Sequence, residues 1–119
     1  MSRAMLPLIA LCLAAGLATP ANAASFNCAK AAAPDEIAIC ANPGLSELDS
    51  EMGALWFAYS QVPMLMGMNG NRQDEARAFL AGRAACGANA ACLRQAYVAR
   101  IGALKQKITS AMQQTCTAQ

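Results

Sequence analysis

Cysteine is the residue type in this sequence with the widest choice of chemistry. Cys86 and Cys92 bracket a break, "CGANAACL", in a region otherwise rich in helix-forming residues, and Cys28 and Cys40 form an earlier pair. Such sulfur pairs can bind a metal, take part in redox exchange or close structural disulfides. Neither pair has the C-x₂₋₄-C spacing of a zinc site, which argues against a structural Cys₄ zinc centre. The compartment in which the protein folds bears on the remaining alternatives.

The first 23 residues have the pattern of a secretory signal peptide. Arg3 gives a basic start, residues 6–17 are an apolar run, and Ala21 and Ala23 occupy the −3 and −1 positions of an A-x-A cleavage site. We predict cleavage after Ala23, which leaves residues 24–119 as a single domain. The mature chain is then expected in the periplasm or outside the cell, without stable membrane insertion.

An oxidising compartment favours a disulfide framework over free thiols. Cys12 lies in the predicted signal, and the bulky Leu11 before it is unlike the small residue that a lipid-attachment site needs, so lipidation is the less favoured alternative. Five cysteines then remain in the mature chain, and one of them must lack an internal partner. Cys116 is expected to be that one, either free or joining two chains into a dimer.

Two helices are expected in the N-terminal half. Pro34, followed by two acids, suits the first turn of a short helix that ends near Ala41. Ser46 and Asp49 resemble a capping box at the start of a second helix. The apolar residues of that second helix follow a three/four spacing and form one stripe: Leu45, Leu48, Met52, Leu55 and Tyr59.

The C-terminal half predicts a helix hairpin. Residues 62–71, "VPMLMGMNGN", indicate a loop or broken helix, and a helix is expected from Arg72 to a C′ glycine at Gly87. Asn89 should cap the last helix, which carries the clearest apolar stripe of the chain: Leu93, Tyr97, Ile101, Leu104, Ile108 and Met112. We therefore predict an all-α fold, a small disulfide-stapled helical bundle built on an antiparallel helix hairpin.

These helices suggest how the cysteines pair. Cys86 lies in the last turn of one helix and Cys92 in the first turn of the next, and a turn through Gly87 brings them within disulfide reach. Cys28 and Cys40 would likewise tie the N-terminal segment to the short helix. The predicted disulfides are therefore Cys28–Cys40 and Cys86–Cys92.

Two stretches together resemble the LprI-like domain of secreted bacterial lysozyme inhibitors. They are "FNCAKAAAPDEIAICANPGLSELDSEMGALW" and "FLAGRAACGANAACLRQAYVARIGAL", with the patterns "xxPxLxxLDxEM" and "RxxCGxxxxCLxxxYxxRIxxL". The family's four cysteines match Cys28, Cys40, Cys86 and Cys92. Phe79 and Ala84 depart from the family, which usually has Trp and Asp at these places.

The resemblance implies a periplasmic or surface binding protein. Lysozyme inhibition is demonstrated for only some members of that family, so function does not transfer with the fold.

The sequence contains no histidine. This excludes Ser-His-Asp and Cys-His nucleophilic arrangements and the H-E-x-x-H zinc motif. The acids cluster at expected helix starts, where they cap helices and favour solubility. We therefore expect no catalytic residues and no cofactor, and predict that the protein is not an enzyme.

The methionines of the loop provide the alternative hypothesis. Met64, Met66 and Met68 form an M-x-M-x-M run, and thioethers are soft ligands that select Cu(I). Methionine also fills irregular gaps in apolar surfaces, which is the simpler interpretation of this run. A copper-binding or purely structural envelope protein is therefore the runner-up to a binding module.

Charge is polarised along the mature chain. Residues 24–60 contain one lysine against five acids, whereas residues 61–119 contain seven basic residues against two acids. The five acids, which could face a cationic partner such as lysozyme, are Asp35, Glu36, Glu47, Asp49 and Glu51. The basic half has no nucleic-acid motif, so no nucleic-acid partner is expected, and a cell-wall hydrolase is the candidate partner.

Overall fold

The structure is a computed structural model that describes residues 24–117, and these residues are 83% helical and contain no strand. The chain forms a 3₁₀ turn at Cys28–Lys30 and then four α-helices: α1 Pro34–Ala41, α2 Pro43–Ser60, α3 Met66–Cys86 and α4 Ala90–Thr117. The predicted all-α fold is confirmed. The predicted signal peptide lies outside the described residues. Within residues 24–117, no helix combines the length and the apolar character needed to cross a membrane.

Helix α4 is the central element, and the other helices pack around it. Asp49 and Glu51 of α2 bond to Tyr97 and Lys105, so α2 runs parallel to α4. The α3 helix runs back along another side of α4 and makes with it the predicted antiparallel hairpin. No Cα atom of α2 lies within 8 Å of one of α3, so the two helices flank a cleft whose floor is α4.

Helix α1 begins and ends where the sequence predicted. Pro34 occupies its first turn, and the Glu36 carboxylate accepts hydrogen bonds from the backbone N–H groups of Ala32 (3.1 Å) and Ala33 (3.3 Å). Glu36 therefore satisfies backbone donors that the helix leaves unpaired, as acids in a first turn commonly do.

The capping box predicted for α2 is wrong. Asn42 caps this helix instead, because its side chain accepts from the Leu45 N–H at 3.2 Å. Ser46 lies inside the helix, where its hydroxyl donates to the carbonyl of Ile39 at 2.7 Å and ties α2 to α1. Asp49 points into the protein and takes part in a buried cluster described below.

Helix α3 begins at Met66, six residues before the predicted start at Arg72. The physical reason is a tertiary contact that the sequence pattern does not show. The Arg72 guanidinium donates to the carbonyl of Tyr59 in the last turn of α2 (2.7 Å), to that of Val62 just after it (3.0 Å), and to the Asn69 side chain. These bonds hold the first turns of α3 and offset its glycines, which are poor helix formers.

Both predicted disulfides are present. Cys28–Cys40 joins Cα atoms 5.7 Å apart, and Cys86–Cys92 joins Cα atoms 5.6 Å apart. The second bridge spans the α3–α4 turn, where Gly87 has φ 55°, a conformation that favours glycine. Asn89 caps α4 as predicted, since its side chain accepts from the backbone N–H of Cys92 at 3.0 Å.

The apolar core lies between α1, α2 and the first half of α4. Its buried members are Ile39, Leu45, Tyr59, Leu93, Tyr97, Ile101 and Leu104. The stripe predicted for α4 is therefore confirmed as far as Leu104. Met112, in contrast, is 64% exposed, because α2 ends at Ser60 and does not cover the last turns of α4.

We predict that the α3–α4 disulfide stabilises the domain and that the fifth cysteine does not. Replacing Cys86 and Cys92 together by Ala should lower the free energy of unfolding by about 2–3 kcal/mol, because the unfolded chain regains the entropy of the closed loop. Urea denaturation measures this. Cys116→Ala is the control and should change stability by less than about 0.5 kcal/mol, since Cys116 is exposed and unpaired among the described residues.

Candidate functional site: a buried polar core and an adjoining cleft

One buried side chain from each helix meets in a cluster that we call the polar core, formed by Asp35, Asp49, Arg83 and Tyr97. The Arg83 Nε donates to Asp35 Oδ2 at 2.8 Å, and its Nη1 lies 3.8 Å from Asp49 Oδ1. The Tyr97 hydroxyl donates to Asp49 Oδ1 at 2.7 Å. The polar core therefore links α1, α2, α3 and α4 through a single network.

The segment before the 3₁₀ turn covers this network. The backbone N–H and the hydroxyl of Ser25 both donate to Asp49 Oδ2, each at 2.6 Å. The Phe26 ring packs against the Arg83 guanidinium, with 5.5 Å between the ring centroid and Cζ. Gly53 permits this close approach, because a Cβ there would lie 2.9 Å from the Ser25 Cβ. Both oxygens of Asp49 thus have hydrogen-bond donors.

Electrostatics fix the protonation state of the polar core. Burial raises the pKa of Tyr97 well above its usual range, and the hydrogen bond to the Asp49 carboxylate raises it further. Burial alone would lower the pKa of Arg83, but hydrogen bonds to Tyr97 and Asp35 outweigh it, so the pKa is raised. At ordinary pH the polar core therefore contains a charged arginine and a neutral tyrosine, and Tyr97 does not act as a base.

Two of the five acids predicted to face a cationic partner do not lie on the surface. Asp35 is 2% exposed and Asp49 is fully buried, since both carboxylates turn inward toward Arg83. Glu36 is half-buried and caps α1. Glu47 and Glu51 remain exposed on α2, and Glu51 accepts a hydrogen bond from Lys105 at 2.6 Å. The surface available to a partner is thus much less acidic than the sequence suggested.

The structure also bears on the two metal hypotheses. The four cysteines considered for a zinc site are consumed by disulfides, so they offer no thiolates. Met64 and Met68 line one groove of about 380 Å³ beside Tyr59, whereas Met66 is 92% exposed and lies outside that groove. Met66 and Met68 both lie in α3, where residues two apart point to nearly opposite sides, so the three thioethers do not converge on one ion.

A second cluster lies in the cleft between α2 and α3. The Arg100 guanidinium lies close to the rings of Trp56 and Phe79, with its Cζ 5.8 Å and 5.9 Å from their centroids. Its Nη1 is 3.7 Å from Glu75 Oε2, and the other oxygen of Glu75 accepts from Lys107 at 2.8 Å. Beside this arginine is a cavity of about 100 Å³, lined by Met52, Trp56, Ala76, Phe79, Leu80 and Arg100.

Sequence reasoning missed the polar core, although a signal for it was present. Asp49 falls within the apolar stripe of α2, four residues after Leu45, and Arg83 follows Phe79 on the same face of α3. A charged residue on a face that is otherwise buried indicates a partner inside the protein, because an unpaired buried charge is strongly unfavourable. The same acids also fit the pattern of caps at the expected helix starts, which conceals this signal.

Comparisons of the chain with known protein families, with curated proteins and with solved structures found no match in any of the three. The resemblance to the LprI-like domain therefore rests on the motif residues themselves.

We predict that Arg83 is essential to the fold. Arg83→Met should destabilise the protein by about 3–5 kcal/mol, because it leaves two buried carboxylates without their cation. Arg77→Met is the matched control on the same helix. Arg77 is 70% exposed, and its ion-pair partner among residues 24–117 is its neighbour Asp74, so this change should cost less than about 1 kcal/mol. Chemical denaturation of both variants measures the difference, and equal losses would contradict a special role for Arg83.

We also predict that Tyr97 makes stability depend on alkaline pH. The raised pKa means that the unfolded state loses the tyrosine proton first, so the contribution of Tyr97 is complete below about pH 10 and declines as pH rises further. At pH 7, Tyr97→Phe should cost about 1–3 kcal/mol by depriving Asp49 of a donor. Urea denaturation from pH 7 to 11 should show this cost shrinking above about pH 10, and a constant cost would refute the assignment.

Proposed function

We propose that this chain is a secreted, non-enzymatic binding domain whose partner is a lysozyme or another cell-wall hydrolase. One observation carries the proposal: the motif residues that resemble the LprI-like domain are the ones that build this fold. The core and the polar core contain these motif residues: Leu45, Asp49, Arg83, Leu93, Tyr97, Ile101 and Leu104. The motif cysteines Cys86 and Cys92 close the α3–α4 turn. The motif residues therefore act together to form one structure, which supports the resemblance.

The disulfides support secretion. Two bridges in so short a chain are typical of proteins that fold in an oxidising compartment, which agrees with the signal-peptide pattern of residues 1–23. Each bridge closes a short loop and supplies stability that a core of this size provides only in part. A periplasmic or extracellular location follows as part of the proposal.

The burial and bonding of the ionisable groups in the polar core favour a binding function over a catalytic one. A catalytic acid or base must reach its substrate, with a pKa near the working pH. The carboxylates of Asp35 and Asp49 are buried and bonded to Arg83, Tyr97 and Ser25. Their positions fit a structural role in which they hold four helices together, and leave the surface to contact a partner.

Attraction to a cationic lysozyme should be modest and should come from α2. Glu47 and Glu51 lie one turn apart on its exposed side, and Lys105 offsets part of the charge of Glu51. Exposed charges of this kind influence mainly the association rate, and salt screens them beyond about 8 Å at physiological ionic strength. The affinity of such a complex must come mostly from apolar contacts.

We predict that the oxidised mature chain slows the lysis of cell walls by c-type lysozyme, as measured by turbidity at low salt, and that inhibition weakens as salt rises. Glu47→Lys should lower the association rate several-fold with little effect on dissociation, because it reverses an exposed charge. Asp74→Lys is the matched control, since Asp74 is an exposed acid on α3. Absence of inhibition at low salt would exclude this class of lysozyme as the partner.

A further inference from the structure

The cleft between α2 and α3 is occupied at one end by the protein's own chain. Ser25 and Phe26, which belong to a non-helical segment, enter it next to Gly53 and contact Asp49 and Arg83. The backbone of this segment donates a hydrogen bond to the α2 wall, and its aromatic side chain packs on an arginine of the α3 wall. One end of the cleft therefore holds a non-helical stretch of polypeptide.

One helical turn further along, the same walls form a second position, which residues 24–117 leave empty. Met52 and Trp56 of α2 face Ala76 and Phe79 of α3 across the cavity of about 100 Å³. As at the filled end, an arginine lies close to an aromatic ring and to an acid: here Arg100 of α4 is near the rings of Trp56 and Phe79 and near Glu75. A turn of helix is about 5.4 Å, close to the spacing of side chains on one side of a non-helical strand.

We propose that this empty position receives an aliphatic side chain from a non-helical segment of the partner protein, laid along the cleft in continuation of Ser25. The inference deepens the proposed function by naming the surface through which the binding domain would act, and it rests on that proposal for the existence of a partner.

The cavity's size and lining select the side chain. A dry cavity of about 150 Å³ lined by aliphatic and aromatic residues accepts benzene, so one of about 100 Å³ accepts an aliphatic side chain such as that of Val or Leu. Leu80, which lines the cavity, is 48% exposed. Its apolar side chain lies at the mouth and would be covered by a docked segment.

Arg100 explains why a peptide suits this cleft better than a purely apolar ligand. Its side chain is 10% exposed and lines the cavity, and its Nη1 lies 3.7 Å from Glu75 Oε2, beyond hydrogen-bond distance. Each residue of a docked backbone brings a carbonyl oxygen, to which the exposed part of the guanidinium can donate a hydrogen bond.

The direct test uses capped tripeptides as probes. Acetyl-Gly-Leu-Gly-amide and acetyl-Gly-Gly-Gly-amide are titrated into the oxidised mature chain, and binding is followed by backbone NMR shifts and by the fluorescence of Trp56, the single tryptophan of the sequence. The Leu peptide should bind about tenfold more tightly, because it buries an apolar side chain in the cavity. Shifts should centre on residues 52–57 and 76–80. Equal binding of the two peptides, or shifts elsewhere, would overturn the proposal.

Paired variants separate docking in the cavity from general surface adhesion. Ala76→Leu fills the cavity and should abolish the preference for the Leu peptide, whereas Ala78→Leu, on the exposed side of the same helix, should keep it. Leu80→Glu places a charge at the mouth and should weaken binding at least tenfold. Its control, Val98→Glu, changes an exposed residue of α4 outside the cavity and should have no effect. Loss of binding in a control as well as in its partner would contradict the cavity assignment.

The outcomes distinguish this inference from the hydrolase proposal. Peptide binding that depends on Ala76, together with no inhibition of lysozyme, would support the cleft as a peptide-binding site and exclude lysozyme as the partner. Inhibition that survives Ala76→Leu would place the lysozyme contact elsewhere and overturn the docking proposal. Sedimentation of the wild-type chain tests a second copy as the occupant: a dimer that Ala76→Leu dissociates would assign the cavity to self-association and would also overturn it.

Discussion

The arrangement of this protein depends on the buried contact between Arg83 and the carboxylates of Asp35 and Asp49. A guanidinium carries five donors in a fixed plane, so it can satisfy acids from two different helices at once. Here it fixes α3 relative to α1 and α2, while Tyr97 adds α4 to the same network. A buried charged network adds little net stability when compared with apolar packing. The network instead makes the arrangement of the helices specific, because few alternative packings would satisfy the hydrogen-bonding groups of all four side chains.

The same network determines the shape of the surface. The side chains of the polar core hold α2 and α3 against α4. The Cα atoms of α2 stay more than 8 Å from those of α3, so a cleft remains between these two helices. The space between them is filled at one end by Ser25 and Phe26, and in the middle only in part, by Trp56, Phe79 and Arg100. Large side chains, charged ones in the polar core and aromatic ones beside Arg100, therefore separate the two helices.

The elements that could be predicted from the sequence are those whose signal is local. The stripe from Leu93 to Leu104 predicted α4, and helix ends next to Gly87 predicted one disulfide. The start of α3 was missed because Arg72 acts over a distance, through carbonyls at the end of α2. The inward turn of Asp35 was missed for a related reason: an acid in a first turn is usually a cap, and only the position of Arg83 in three dimensions shows otherwise.

The residues that carry the family resemblance specify the fold and leave partner choice open. Most of them are buried or disulfide-bonded, so a partner would not touch them. The cavity is lined by residues of the motif and by residues outside it: Met52 and Arg100 belong to the motif, whereas Ala76 and Leu80 do not. Its wall also contains Phe79, where the family usually has the larger Trp. This departure from the pattern of the LprI-like domain therefore falls in the wall of the cavity, outside the polar core that holds the helices.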